Sequence, residues 1–239
     1  MNRSYDKRLL LAAAVALITS YFLIRNFSIG PSESLLSFFD GTYLNAETNP
    51  FLIILLLLPS TLFLYLWGDF FKSDFESMCV YIFTRTKNRT KWLIKKVLIL
   101  FSYWLAFYLI YAVSMFVLLA VKNKNFFFLI KEVPMLLWIV LWNVLMMFPI
   151  LLLENLLSIK IAPVKCVSIV ILLHLISLSL LIMSPNALLF ILPSVQAVYQ
   201  WHFSVLPNFT ILYSVFYFLI IITVELSIGT VQLKRIDLI

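Results

Sequence analysis

An all-α integral membrane protein with six transmembrane helices is expected from this chain on three grounds. Of its 239 residues, 63% are apolar and only 12% are charged, against roughly half apolar and about a quarter charged in a soluble domain. Mean hydropathy is +1.04. The apolar residues also gather into runs near the ~20 residues that cross a ~30 Å hydrocarbon core as a helix. Residues 1–239 read as a single transmembrane domain.

The first expected span is 9–27. Arg3, Lys7 and Arg8 precede it in the manner of a signal peptide. The apolar run continues to Phe27 with no small-residue cleavage site after it, which reads as a retained span. Arg25, near its end, can snorkel. A polar loop with Glu33, Asp40 and Glu47 follows, punctuated by Gly30-Pro31 and Asn49-Pro50. The second span, 51–67, is short and carries Pro59, where a kink is expected.

The connection 69–96 is unlike the rest of the chain. Lys72, Arg85, Lys87, Arg89, Lys91, Lys95 and Lys96 place seven of the eighteen basic residues in it. The third span, 97–121, is long enough to tilt. The fourth, 133–153, has Pro134 in its first turn, where proline is tolerated. A weakly basic connection from Glu154 to Lys165 leads to the fifth span, 167–183. The sixth is 209–228, with Lys234, Arg235 and Asp237 behind it. Between the last two, 184–208 contains no Lys, Arg, Asp or Glu. Pro185, Pro193 and Pro207 cut it into apolar pieces too short to span. Such pieces read as an external re-entrant hairpin packed against protein.

Lys and Arg resist translocation, so basic connections stay inside. With both termini cytoplasmic, only Arg25, Lys122, Lys124 and Lys131 of the eighteen basic residues fall outside. The third connection is then basic although external. The net charge of +7 is explained by this retention and by anionic headgroups, without nucleic acid. Cys79 and Cys166 both fall on the cytoplasmic side, where a structural disulfide is not expected. Four glycines leave no GxGxxG and no GxxxxGKS, and HExxH and GxSxG are absent as well. No enzyme activity, catalytic residue, cofactor or metal site is expected.

Glu225 stands nine residues before Lys234, about 13 Å along a helix, and therefore inside the hydrocarbon. A carboxylate there is unfavourable by about 3 kcal/mol unless paired, protonated or facing a cavity. It reads either as a packing carboxyl bonded to a neighbouring helix or as a pathway residue. His174, amid Leu172, Leu173, Leu175 and Ile176, reads first as an interhelical hydrogen-bonding residue, with a pathway role as the sharper alternative. Asn143 reads as the same kind of packing residue. His202 beside Trp201 reads as interfacial anchoring.

Phe75, Met78 or Cys79, and Ile82 recur at helical spacing in the basic connection, and Asp74 with Glu76 suits a helix start. Trp92 before Lys95-Lys96 suits membrane anchoring of the third span. The plainer reading is a charged loop enlarged by retention alone. Phe70, Phe71, Phe75, Tyr81, Ile82 and Phe83 favour a docking helix for a cytosolic partner.

With its phrase Phe75-Glu76 … Tyr81-Ile82-Phe83-Thr84-Arg85 … Lys91-Trp92 … Lys95-Lys96, the chain resembles the permease subunits of six-span, type V bacterial ATP-binding-cassette exporters. The phrase looks like the version found in permeases of peptide-export and bacteriocin-immunity systems. The proline-broken hairpin before the last span resembles that family's re-entrant hairpin. The resemblance implies a coupling helix involving Asp74, Phe75, Glu76, Met78, Tyr81, Ile82 and Arg85. It also implies two partners, a separate cytosolic ATPase and a second permease subunit, identical or different, in a bacterial cytoplasmic membrane. The cargo it implies is a hydrophobic or amphipathic peptide, lipid or drug. In one respect the chain departs from the pattern. Only about eight residues precede the first span, so the family's amphipathic surface helix is short or missing. The alternative is a stand-alone six-span binding or immunity protein that works without an ATPase.

Overall fold

The computed structural model describes residues 3–26, 50–73, 89–123, 126–183 and 211–235. Among them every extended element is an α-helix: α1 Arg3–Asn26, α2 Pro50–Trp67, α3 Arg89–Asn123, α4 Phe126–Ser158, α5 Pro163–Met183 and α6 Ile211–Arg235. Among the described residues four helices are long and apolar enough to cross a membrane, over Asp6–Arg25, Arg89–Lys122, Val133–Ser158 and Tyr213–Leu233. The chain is thus a helical membrane protein in its architecture. The expected hairpin 184–208 lies outside the described residues.

The helices α3 and α4 form the middle of the bundle. Helix α3 packs on α1, α4 and α6, while α4 also receives α2, α5 and α6. The face that α1 turns inward carries Ala12, Ala16, Thr19 and Ser20. Small residues let helix backbones approach closely in lipid, where apolar burial gives no driving force between helices. The α2–α3 side is filled instead by rings. Phe63 stacks on Trp67 at 4.2 Å and meets Trp104 edge-on at 4.8 Å. Trp104 and Tyr108 are also edge to face, at 4.7 Å, the arrangement the ring quadrupoles favour. Two of these rings have polar partners: Trp104 Nε1 donates to Val144 O at 3.1 Å, and Ser60 Oγ lies 3.1 Å from Tyr108 Oη.

Contacts between helix ends show that the chain runs up and down. Arg8, near the start of α1, donates to Leu66 O at the end of α2 (2.8 Å). Phe71 and Trp92 bring the end of α2 to the start of α3, with ring centroids 6.4 Å apart. Arg89 Nη1 donates to Leu233 O, joining the start of α3 to the end of α6. A side chain on Gly229 would press on Leu156 Cδ2 and Leu93 Cδ2, at 2.7 and 3.0 Å. The starts of α1, α3 and α5 and the ends of α2, α4 and α6 therefore share one pole. At the opposite pole, Lys122 Nζ donates to Ile24 O at 2.6 Å, joining the ends of α3 and α1.

The helices overrun the expected spans. Helix α3 begins at Arg89 rather than near 97, and α4 runs through Glu154 to Ser158. Trp92, expected as an interfacial anchor, is instead a buried core residue facing Phe71.

Candidate functional site

The pole that gathers these six helix ends also carries the basic connection, of which the two arms are described. The incoming arm begins where α2 ends. Gly68 N donates to Leu64 O (2.8 Å), the chain turns at Gly68–Asp69, and a short helical turn follows with Ser73 N donating to Asp69 O (2.8 Å). Phe70 and Phe71 are buried by this turn. Their side chains are what the arm inserts into the bundle.

Three polar contacts fix the corner. Both Asp69 oxygens accept from Arg8, at 2.5 Å from Nη1 and 3.2 Å from Nη2. This two-point pairing is the strong form of a carboxylate–guanidinium contact. The same guanidinium caps a terminal carbonyl of α2 through Leu66 O. Phe71 N donates to Asn155 Oδ1 of α4 at 3.2 Å, while Asn155 Nδ2 donates to Leu151 O of its own helix at 3.0 Å. The outgoing arm is held by Arg89 on Leu233 O and by Lys96 Nζ, 5.0 Å from the centroid of the Phe70 ring, a cation–π contact.

Glu154 lies under the corner. It is 0% exposed, and neither carboxyl oxygen has a hydrogen-bond partner among the described residues. A Cβ on Gly68 would overlap its Oε1, and would stand 2.9 Å from its Cδ and 2.9 Å from Val167 Cγ2. Glycine is required here by close approach. Asp69 is within electrostatic reach of Glu154, and the buried Cys166 at the start of α5 is within reach of both Glu154 and Lys72. A cavity of about 270 Å³ adjoins the corner, lined by Arg8, Tyr65, Asp69, Pro163, Val164 and Val167.

Of the residues singled out from sequence, Asp74, Phe75, Glu76, Met78, Tyr81, Ile82 and Arg85 lie outside the described residues. Glu225 is buried on α6, 7% exposed, and its Oε2 has no hydrogen-bond partner among the described residues. His174 is buried on α5. Both of their helices pack on α4. Asn143 Nδ2 donates to Ile139 O of its own helix at 3.0 Å.

Glu154 and the Arg8–Asp69 pair were missed from sequence. Glu154 follows Leu151-Leu152-Leu153 and precedes Lys160, so it reads as the first residue of a polar connection. The glutamate's depth became visible only once α4 was seen to continue past it. No group of three or more His, Cys, Asp or Glu that could hold a metal occurs among the described residues. No protein-family model, curated protein or solved structure matches the chain.

Proposed function

We propose that this chain is the membrane-spanning permease subunit of an ATP-driven exporter in a bacterial cytoplasmic membrane. In this reading it has six spans with both termini inside, and 184–208 forms an external re-entrant hairpin. A separate cytosolic ATPase docks on the segment 74–85, and a second permease subunit completes a path for a hydrophobic or amphipathic peptide, lipid or drug.

The observation that carries the reading is the anchoring of both arms of the basic connection. A loop that served only to keep positive charge inside would need no buried Phe70 and Phe71, no Asp69–Arg8 pair and no Asn155 contact. A segment that transmits movement needs a base fixed to the helices it moves. The exposed apolar residues on α5 and α6 suit lipid or a second permease subunit.

The test is recovery of the ATPase encoded beside the chain, by pull-down in detergent. Buried apolar anchors dominate interfaces, at ~2 kcal/mol or more each, while rim charges act mostly on encounter. Phe75→Ala and Ile82→Ala should each lower recovery at least tenfold and uncouple hydrolysis from transport. Lys87→Gln should change recovery little. Unchanged recovery with both apolar variants, or the lack of an associated ATPase, would instead favour the stand-alone binding or immunity protein.

A further inference from the structure

The cavity of about 270 Å³ where α1, α2 and α5 meet has walls of two kinds. Leu66, Pro163, Val164 and Val167 are apolar. Arg8 and Asp69 are a charged pair whose side chains remain 27% and 34% exposed, so neither seals the other from the cavity. The space exceeds what one water or one ion needs. Helix α1 sets its depth. The membrane-crossing stretch of that helix starts at Asp6, and at 1.5 Å per residue Arg8 stands about 3 Å inside it. That is the border between the hydrocarbon and the headgroup layer. Tyr65 is exposed at the same end of α2, and such amphipathic rings are enriched at this depth. Val164 is exposed too, as are Leu172 and Leu173 farther along α5, a surface fit for acyl chains.

The charges decide the class of ligand. Arg8 and Asp69 sum to zero, so a purely anionic headgroup meets the carboxylate and a purely cationic one meets the guanidinium. A headgroup with one charge of each sign is attracted by both. Arg8 takes two of the roughly four acceptor sites of the Asp69 carboxylate, so an ammonium can add to the pair without parting it. We propose that this cavity binds a phospholipid whose zwitterionic headgroup ends in a primary ammonium, as in phosphatidylethanolamine. The phosphate lies against Arg8, the ammonium donates to Asp69, and the acyl chains leave past Tyr65 and Val164. The headgroup then braces the corner from outside, while Phe70 and Phe71 hold it from within. The site rests on the helical membrane architecture alone, so its failure leaves the exporter reading untouched.

Native mass spectrometry of the full-length chain in detergent tests this. The chain is supplied with an equimolar mixture of phosphatidylethanolamine, phosphatidylcholine and phosphatidylglycerol carrying the same acyl chains. Choline has no N–H for Asp69 to accept, and phosphatidylglycerol has no ammonium. A charge-assisted hydrogen bond corresponds to about tenfold or more in affinity. Phosphatidylethanolamine should be retained over each of the others by about that factor. Asp69→Asn removes the ammonium's partner and leaves the charge of Arg8 uncompensated, so the preference should pass to phosphatidylglycerol. Val164→Trp fills the cavity without touching the pair, and should lower retention of phosphatidylethanolamine to that of phosphatidylcholine.

A pair that serves only to hold the corner predicts no lipid preference. Equal retention of the three lipids by the unaltered chain therefore overturns the proposal, and so does a preference for phosphatidylglycerol, the mark of a plain basic surface. Unchanged retention in Val164→Trp, or an unchanged preference in Asp69→Asn, overturns it as well. Should Asp69→Asn fail to fold, the selectivity of the unaltered chain and the Val164→Trp variant still decide. Soluble glycerophosphoethanolamine at the same concentration should not displace the lipid. Equal competition by it would assign the cavity to a free zwitterion and overturn the lipid site.

Discussion

Gly68 and the Glu154 carboxyl compete for one volume, and that competition makes a residue-scale prediction. In Gly68→Ala the new methyl group meets Glu154 Oε1 and Val167 Cγ2. Overpacking of this kind lowers stability by about 1–3 kcal/mol, read as a lower melting temperature in detergent. Shortening the opposing side chain in Gly68→Ala/Glu154→Ala should restore part of the loss. The sequence gives no sign of this pairing, because residues 68 and 154 are related only through the packing of α2 on α4. Glu225 was legible for a different reason: a carboxylate deep in an apolar run is conspicuous whatever it touches. It is buried on α6, and its role belongs to the proposed transport function.

At the scale of elements, apolar length located the helices but understated them. Hydropathy measures how much of a helix suits lipid, and basic residues end that count without ending the helix. Arg, Lys, Trp and Leu at 89–96 are compatible with helix, so α3 simply continues outward through them. The extension gives the outgoing arm its grip, since Arg89 reaches Leu233 O only from the first turn of α3. Arg89→Gln should lower stability by about 1.5–3 kcal/mol, the range for a lost charge-assisted hydrogen bond. Hydrogen exchange should show the loss concentrated at the start of α3 and the end of α6. Equal loosening throughout the bundle would contradict this assignment.

For the whole molecule, the up-and-down order follows from runs of spanning length joined by connections, and the all-helical character was plain from composition. Which helix packs on which was not plain. Helices apolar on every side carry no face signal, and the inward stripe of α1 is recognisable only by its small residues. The pole that collects six helix ends carries the chain's main basic connection, and the charge asymmetry of the sequence places that pole in the cytoplasm under the proposed topology. An impermeant thiol reagent should then label neither cysteine in intact cells. After permeabilisation it should label Cys79, whereas Cys166, being buried, should react quickly only once the protein is denatured. Labelling of Cys79 in intact cells would reverse the orientation.

The pairing of Arg8 with Asp69 also bears on how the protein is made. The partners stand 61 residues apart, at the two feet of the first helical hairpin. Both are synthesised before α3 begins, so a nascent chain can clasp α1 to α2 while the later helices are still to come. The middle of the finished bundle, α3 and α4, would then be laid against a template already closed at its base. The first two helices in sequence would then form the first piece of tertiary structure in time.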